Sequence, residues 1–228
     1  NSWGTASYNA LQLTFEKRFT NGLQFTANYT WSKNLDSASA SSAAFNGSIT
    51  DPFNIGFDRG ISNLNYPRIF NAFWVYQTPA LKDSNPLVRG VLGGWEVSGT
   101  WRMQSGDPFS IAGGNGNDNS QSHVGSDRAD VVSGQSLDVH QGSKSQWLHQ
   151  YFNTSAFQQN AAGTFGNSGR NLLQGPGVNN VDLGINKSFP FMERYRIQFR
   201  WEMFNALNRP TFDLPDRTVT SGSFGQIT

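Results

Sequence analysis

The segment at 23–32 alternates strictly between apolar and polar side chains. Its apolar parity holds Leu23, Phe25, Ala27, Tyr29 and Trp31. The residues between them are Gln, Thr, Asn, Thr and Ser. Because successive side chains of a β-strand point to opposite faces, this period of two predicts a strand with one apolar and one polar face.

The same alternation returns along the chain and predicts six strands. Their predicted bounds are 8–19, 23–33, 68–78, 94–106, 180–189 and 194–205. The facing of the strand at 68–78 stays open, because large apolar side chains fall on both of its parities. A helical period is present from Ser145 to Phe152 and is hard to find elsewhere. The chain is therefore predicted to be all-β.

The connections between the predicted strands alternate in length. The first, third and fifth are the short segments "TNG", "TPALKDSNPLVRGVLG" and "PFMER", whereas the long loops 34–67, 107–179 and 206–228 are rich in Gly, Ser, Asn and Asp. Two unlike rims are typical of membrane barrels, whose periplasmic turns are short and whose extracellular loops are long. The predicted fold is an antiparallel up-and-down transmembrane β-barrel fragment of about six strands.

Strand length and charge placement both favour lipid as the surroundings of the apolar parity. A strand of about eleven residues, tilted by about 40°, rises roughly 28 Å, close to the apolar band of about 25 Å on membrane barrels. The residues predicted to face lipid are Leu11, Leu13, Phe15, Leu23, Phe25, Tyr29, Trp31, Trp95, Val97, Trp101, Val181, Leu183, Ile185, Ile197, Phe199 and Trp201. The charged candidates for the lumen face are Glu16, Arg18, Glu96, Arg102, Arg196, Arg200 and Glu202.

Three lysines fall on the apolar parity, namely Lys17, Lys33 and Lys187. Each lies within a few residues of a predicted strand end, where a long stem lets an ammonium group reach the lipid headgroups. The alternative is a soluble β-sandwich whose apolar face packs on a second sheet, which alternation alone does not exclude. A sandwich would normally have shorter strands and loops of similar length at both ends.

The low charge and the absence of cysteine exclude several classes of function. Charged residues make up 14% of the chain, against about 25% in ordinary soluble proteins. The net charge of +1 gives no global field for nucleic acid, and the absence of cysteine excludes disulfides and thiolate metal sites. The chain contains no apolar run long enough for a membrane-spanning helix.

Several stretches resemble the C-terminal barrel region of TonB-dependent outer-membrane receptors, in particular the Oar-like type with a carboxypeptidase-regulatory-like domain. They include "GGWEVSGTWRMQSGDPFSI", "FRWEMFNALNRPTF" and the run from Phe152 to Phe212. The resemblance implies a Gram-negative outer-membrane location and a barrel of about 22 strands around a plug domain, energised through TonB. The plug, the N-terminal domains and one further strand are expected in the parent chain rather than in residues 1–228, which look like an internal fragment.

Candidate chemistry is sparse. His123, His140 and His149 share the loop at 107–179 with Asp118, Asp127, Asp130 and Asp138, but their spacing matches no zinc pattern. The stretch "GGNGNDNSQ" partly matches a calcium-binding repeat, occurs once, and has Ser120 where an apolar residue belongs. We therefore expect a flexible, solvated loop, no metal or cofactor, no catalytic residue and no enzymatic activity.

Three functions remain open at this point. The favoured hypothesis is uptake of a bulky solute by a TonB-dependent receptor, with outer-membrane lipid, the plug domain, TonB and an unidentified solute as partners. The second hypothesis is a non-transporting surface or adhesion protein whose long loops make the contacts. The third is a soluble carbohydrate-binding β-sandwich.

Overall fold

The computed structural model describes residues 4–38, 50–51, 53–114, 116, 118–123, 127–138, 143–191 and 195–227, and the structural statements below concern these residues. Six long strands form one sheet, and they overlap the six predicted segments with bounds that differ by at most three residues. They are β1 (Ala6–Thr20), β2 (Leu23–Asp36), β3 (Arg68–Gln77), β4 (Trp95–Gln104), β5 (Val178–Phe191) and β6 (Tyr195–Met203).

The sheet is an antiparallel meander in which each long strand pairs with its neighbours in sequence. Asn21 and Gly22 connect β1 to β2 with φ angles of 52° and 78°, as a two-residue turn of the type I′ class requires. Pairing between these strands is irregular from Lys17 to Thr20. A two-residue strand, Gly60–Ile61, also pairs with the end of β2. The predicted antiparallel up-and-down barrel fragment is confirmed.

Two short helices lie in the connections. Helix α1 (Pro86–Leu92) joins β3 to β4 and was not predicted, whereas α2 (Lys144–His149) lies where the helical period predicts a helix. Two 3-10 turns occupy Ile55–Asp58 and Thr154–Ala156. In the described part of the chain, neither α-helix has the length and apolar character needed to cross a membrane.

The main buried core lies outside the sheet, in the connection between β4 and β5. Its members are Phe109, Ile111, Ala129, Phe152, Ala156 and Phe157. Short strand pairs support it, Pro108–Phe109 with Leu173–Gln174 and Asp130–Val131 with Phe157–Gln158. The expectation of a flexible, solvated loop at 107–179 is therefore wrong for the described residues of that loop.

The segment after β6 packs onto the same core. Leu214, Val219 and Phe224 contact it, and the backbone N–H of Ala112 donates to the carbonyl of Arg217 at 2.9 Å. We call the described residues of 107–177 and 204–227 the cap. The cap is one packed unit built from two connections at the same end of the sheet.

Candidate functional site

The strand register places all sixteen residues predicted to face lipid on one face of the sheet. Leu13 lies opposite Tyr29, Trp101 opposite Val181, and Ile185 opposite Trp201. Strand β3, whose facing the sequence leaves open, adds Phe70, Ala72, Trp74 and Tyr76 to this face. We call it the apolar face.

The apolar face is exposed although it is rich in large hydrophobic side chains. Leu13 is 55% exposed, Phe15 62% and Trp201 53%. Its rings make local edge contacts, such as Phe70 with Trp101 at 5.2 Å between ring centroids. A soluble monomer rarely exposes an apolar patch of this extent. The apolar face is therefore expected to contact lipid or another apolar surface.

A glycine shapes the middle of this face. The ring of Trp74 lies against Gly99, and a Cβ built at position 99 would come within 2.2 Å of that ring. Glycine is thus required where the indole crosses the neighbouring strand. Aromatic cover of this kind keeps the face continuous across β3 and β4.

The opposite face carries the hydrogen-bonding side chains, and we call it the polar face. A groove of about 450 Å³ runs along it, and its lining includes Asn28, Asn71, Thr100, Arg102 and Asp182. Such a surface can hold water and donate or accept hydrogen bonds to a polar solute. Phe73, which is 43% exposed, supplies an apolar spot in the same groove.

Six of the seven charged lumen candidates lie on the polar face by register, namely Glu16, Glu96, Arg102, Arg196, Arg200 and Glu202. The seventh, Arg18, lies in the irregular stretch between Lys17 and Thr20. Arg18 lies 4.0 Å from Glu16 and Arg200 lies 3.9 Å from Glu202, each pair along one strand, and Gln77 donates to the carboxylate of Glu96 across β3 and β4 at 3.0 Å. Exposed pairs of this type add little stability.

The three lysines of the apolar parity differ in their surroundings. Lys187 is only 4% exposed, and its ammonium donates to the carbonyls of Gly90 and Val91 at 2.5 and 3.1 Å. Lys17 donates to the carbonyl of Thr20 at 3.1 Å, at the turn end of β1. Lys33 lies exposed near the other end of the sheet. Lys187 is therefore bound by protein carbonyls rather than extended toward headgroups, which the sequence did not indicate.

Two buried ion pairs tie the cap to the connection between β2 and β3. Arg128 binds Asp58 at 2.8 Å, and its other guanidinium nitrogens donate to the carbonyls of Ser168 and Phe57. Arg170 binds the carboxylate of Asp36 at the end of β2. The two long connections and the end of the sheet therefore form one assembly.

The acidic and histidine residues of the cap do not assemble a metal site. Asp118 accepts from the backbone N–H of Ser122 and His123, and His123 Nδ1 lies 3.6 Å from its carboxylate. Asp127 accepts from Ser120 and Asn160. Within the described ranges no three His, Asp or Glu side chains converge as metal ligands. His140 lies outside the described residues, as do two asparagines of the calcium-like stretch.

Hydrogen bonds lower the pKa of two carboxylates in the cap, those of Asp118 and Asp216. Burial alone would raise the pKa of Asp118, but donors from His123, Ser120 and Ser122 outweigh it and lower the pKa below its usual value. Asp216 behaves in the same way, because Ser221, Ser223 and Thr218 donate to it. Both carboxylates therefore stay ionised at neutral pH and organise their turns.

A cleft of about 890 Å³ opens beside α2 at the edge of the cap. Trp147 and Phe212 line it with their ring centroids 5.2 Å apart, and Lys144 lies over the Phe212 ring at 5.3 Å. Arg209 adds a second cation, and Asn179 contributes from the apolar-face parity of β5. Rings, amides and cations together could bind a sugar or an anion.

Tyr151 provides a test of how tightly the cap is packed. Burial raises its pKa to about 12, and its hydroxyl donates to the carbonyl of Gln174 at 2.8 Å. Because the pKa of Tyr151 is higher in the folded protein, its protonated hydroxyl stabilises the fold. This stabilisation is complete below the unfolded-state pKa of about 10 and is lost as the pH rises through the folded-state pKa. We therefore expect the cap to loosen between pH 10 and 12. The absorbance of tyrosinate measures this titration.

The variant Tyr151→Phe should lose this high-pH titration step. It should also cost about 1 kcal/mol at neutral pH, the usual contribution of one hydrogen bond. Tyr8, which is 58% exposed on β1, gives the matched control in Tyr8→Phe. An unchanged titration near pH 12 in Tyr151→Phe would contradict the assignment.

A family model described as "Outer membrane beta barrel domain" matches residues 1–228, the whole chain. No curated protein and no solved structure matches the chain.

Proposed function

The chain belongs to the outer membrane beta barrel domain family and is located in the outer membrane of a Gram-negative bacterium, and from this premise we propose that it forms part of a TonB-dependent receptor that imports a bulky solute. In this proposal the apolar face contacts lipid and the polar face lines the lumen. The soluble sandwich is not proposed, because the family is one of membrane barrels.

The observation that carries the proposal is the combination of a polar face with a large folded cap at one end of the same wall. Extracellular loops on membrane barrels are long, and the cap contains its own hydrophobic core. A packed cap presents fixed side chains to a solute, whereas a mobile loop would lose entropy on binding. The polar face beneath it offers amide, hydroxyl and guanidinium groups in a groove along the wall.

The partners proposed for this receptor follow from the resemblance of the sequence to TonB-dependent barrels. The plug domain of the parent chain would occupy the lumen and contact exposed charges such as Arg200 and Glu202. TonB would act on the plug from the periplasm. No enzymatic step is proposed, since the described residues offer hydrogen bonding and charge but no activated nucleophile.

Solute uptake should require both the receptor and TonB. We expect a set of large polar solutes to disappear from the medium of wild-type cells and to persist with cells that lack either gene, as followed by untargeted mass spectrometry. Complementation with the intact receptor gene should restore uptake, and dissipating the proton-motive force should abolish it.

Two outcomes would count against import through TonB. Solute depletion that needs the receptor but continues without TonB would indicate a passive channel. Equal depletion in all strains, together with loss of surface attachment in the receptor deletion, would favour the non-transporting adhesion protein instead.

A further inference from the structure

Helix α1 has an exposed apolar side that no described residue covers. Leu87 is 75% exposed, Val91 56% and Leu92 61%, and no residue of this helix is buried. On a helix with 3.6 residues per turn, positions 87, 88, 91 and 92 lie along one side, and Arg89 lies outside that arc. The seven-residue helix is thus amphipathic, with its hydrophobic side unpartnered.

The contacts of α1 place it on the apolar face of the sheet. Lys187 donates to the carbonyls of Gly90 and Val91, and Trp95 Nε1 donates to the carbonyl of Val91 at 2.7 Å. Lys187 and Trp95 are paired residues of β5 and β4, and both belong to the apolar parity. The C-terminal end of α1 is therefore fixed to the outward side of the wall rather than to the polar side.

The buried lysine explains why a short helix is held there. Its charge meets the carbonyl end of α1, which carries the negative end of the helix dipole, and the rings of Trp95 and Phe189 at 4.9 and 5.0 Å. A cation taken out of water needs such partners. Asn85 caps the N-terminal end of α1, because its side-chain oxygen accepts a hydrogen bond from the N–H of Val88 at 2.8 Å.

We propose that α1 is a membrane-surface anchor that inserts Leu87, Val91 and Leu92 into the periplasmic leaflet of phospholipids. This inference rests on the proposed function, in which the apolar face contacts lipid. The apolar side of α1 continues that face beyond the turn end of β4, where membrane barrels have their periplasmic rim. Arg89 and the exposed Lys82 lie nearby for anionic headgroups.

Lipid contact can be measured with a fluorescent label at Leu92. The chain has no cysteine, so Leu92→Cys adds the only thiol within these residues. The intact receptor carries a nitrobenzoxadiazole label at this site and is reconstituted into vesicles of phosphatidylethanolamine and phosphatidylglycerol. We expect brominated phospholipids to quench the emission about twofold, more strongly with bromines near the headgroup than near the chain ends.

Three matched labels separate the possible failures. A label at Ile197→Cys, on the apolar face, should be quenched. Labels at Gln198→Cys, on the polar face, and at Asp83→Cys, in the turn before α1, should not be quenched. Quenching at position 197 without quenching at 92 would overturn the anchor and leave the facing intact. No quenching at 197 would overturn the facing itself. A blue-shifted but unquenched label at 92 would mean that protein covers α1, which also overturns the anchor.

Discussion

Replacing Arg128 with Met should open the contact between the cap and the connection from β2 to β3, at a cost of about 3 to 5 kcal/mol. Asp58 is 4% exposed, and among the described residues its carboxylate in the variant keeps the N–H and hydroxyl of Thr50 as donors. Removing one member of a buried pair leaves the other charge in a poorly solvating environment, which is the main cost. The variant also loses donors to the carbonyls of Ser168 and Phe57.

The effect should be local, and hydrogen exchange of the folded protein can resolve it. Amides near residues 57–61 and 127–131 should exchange much faster, while those of β4, β5 and β6 keep their protection. Arg217→Met is the matched control, because Arg217 is an exposed arginine of the same cap. The double variant Asp58→Leu with Arg128→Met should recover part of the loss, because no buried charge remains. Equal exchange in the Arg128 and Arg217 variants would contradict a stabilising role for the pair.

The strands could be predicted from the sequence because a period of two is a local signal. Alternation gave all six long strands and separated the two faces of five of them. The facing of β3 could not be predicted because Phe73 and Val75 are apolar but lie on the polar face. Only the pairing of β3 with β2 and β4 reveals this. A strand with apolar residues on both parities contains no information about its register.

The cap could not be predicted because its core is assembled from residues without a regular spacing. Phe109 and Phe152 contact each other with ring centroids 5.9 Å apart, although they are far apart in sequence and surrounded by Gly, Ser and Asn. Polar composition predicts mobility, whereas a few large side chains are enough to form a small buried core. Arg128 and Asp58 are separated by 70 positions, so their pairing has no local signature either.

Helix α1 was missed for a different reason. Seven residues are too few for a helical period to stand out, but its start carries the Asn-Pro signal of an N-cap followed by proline at the first helical position. That signal lies in the connection at 78–94 between β3 and β4. Nothing in the sequence of β5 indicates that helix carbonyls cover Lys187, so the prediction that its ammonium reaches the headgroups is wrong.

Leu13→Arg should destabilise the barrel in a bilayer by about 2 to 4 kcal/mol, whereas Gln12→Arg should cost less than about 1 kcal/mol. The two residues are neighbours near the middle of β1 and both are exposed, so neither side chain supports a packed core. They differ in facing, because Leu13 pairs with Tyr29 on the apolar face and Gln12 with Thr30 on the polar face. Unfolding by denaturant in phospholipid vesicles, followed by tryptophan fluorescence, measures both costs.

A depth series distinguishes lipid from a protein partner as the cover of the apolar face. In a bilayer the cost of arginine is greatest at the midplane and falls to about 0 to 1 kcal/mol near the interfaces. Leu11→Arg and Phe15→Arg, on either side of Leu13, should therefore each cost less than Leu13→Arg. A packed protein interface would instead rank the three by how deeply each side chain is buried. A larger cost for Gln12→Arg than for Leu13→Arg would reverse the proposed facing, because arginine would then be tolerated on the apolar side and rejected by the lumen.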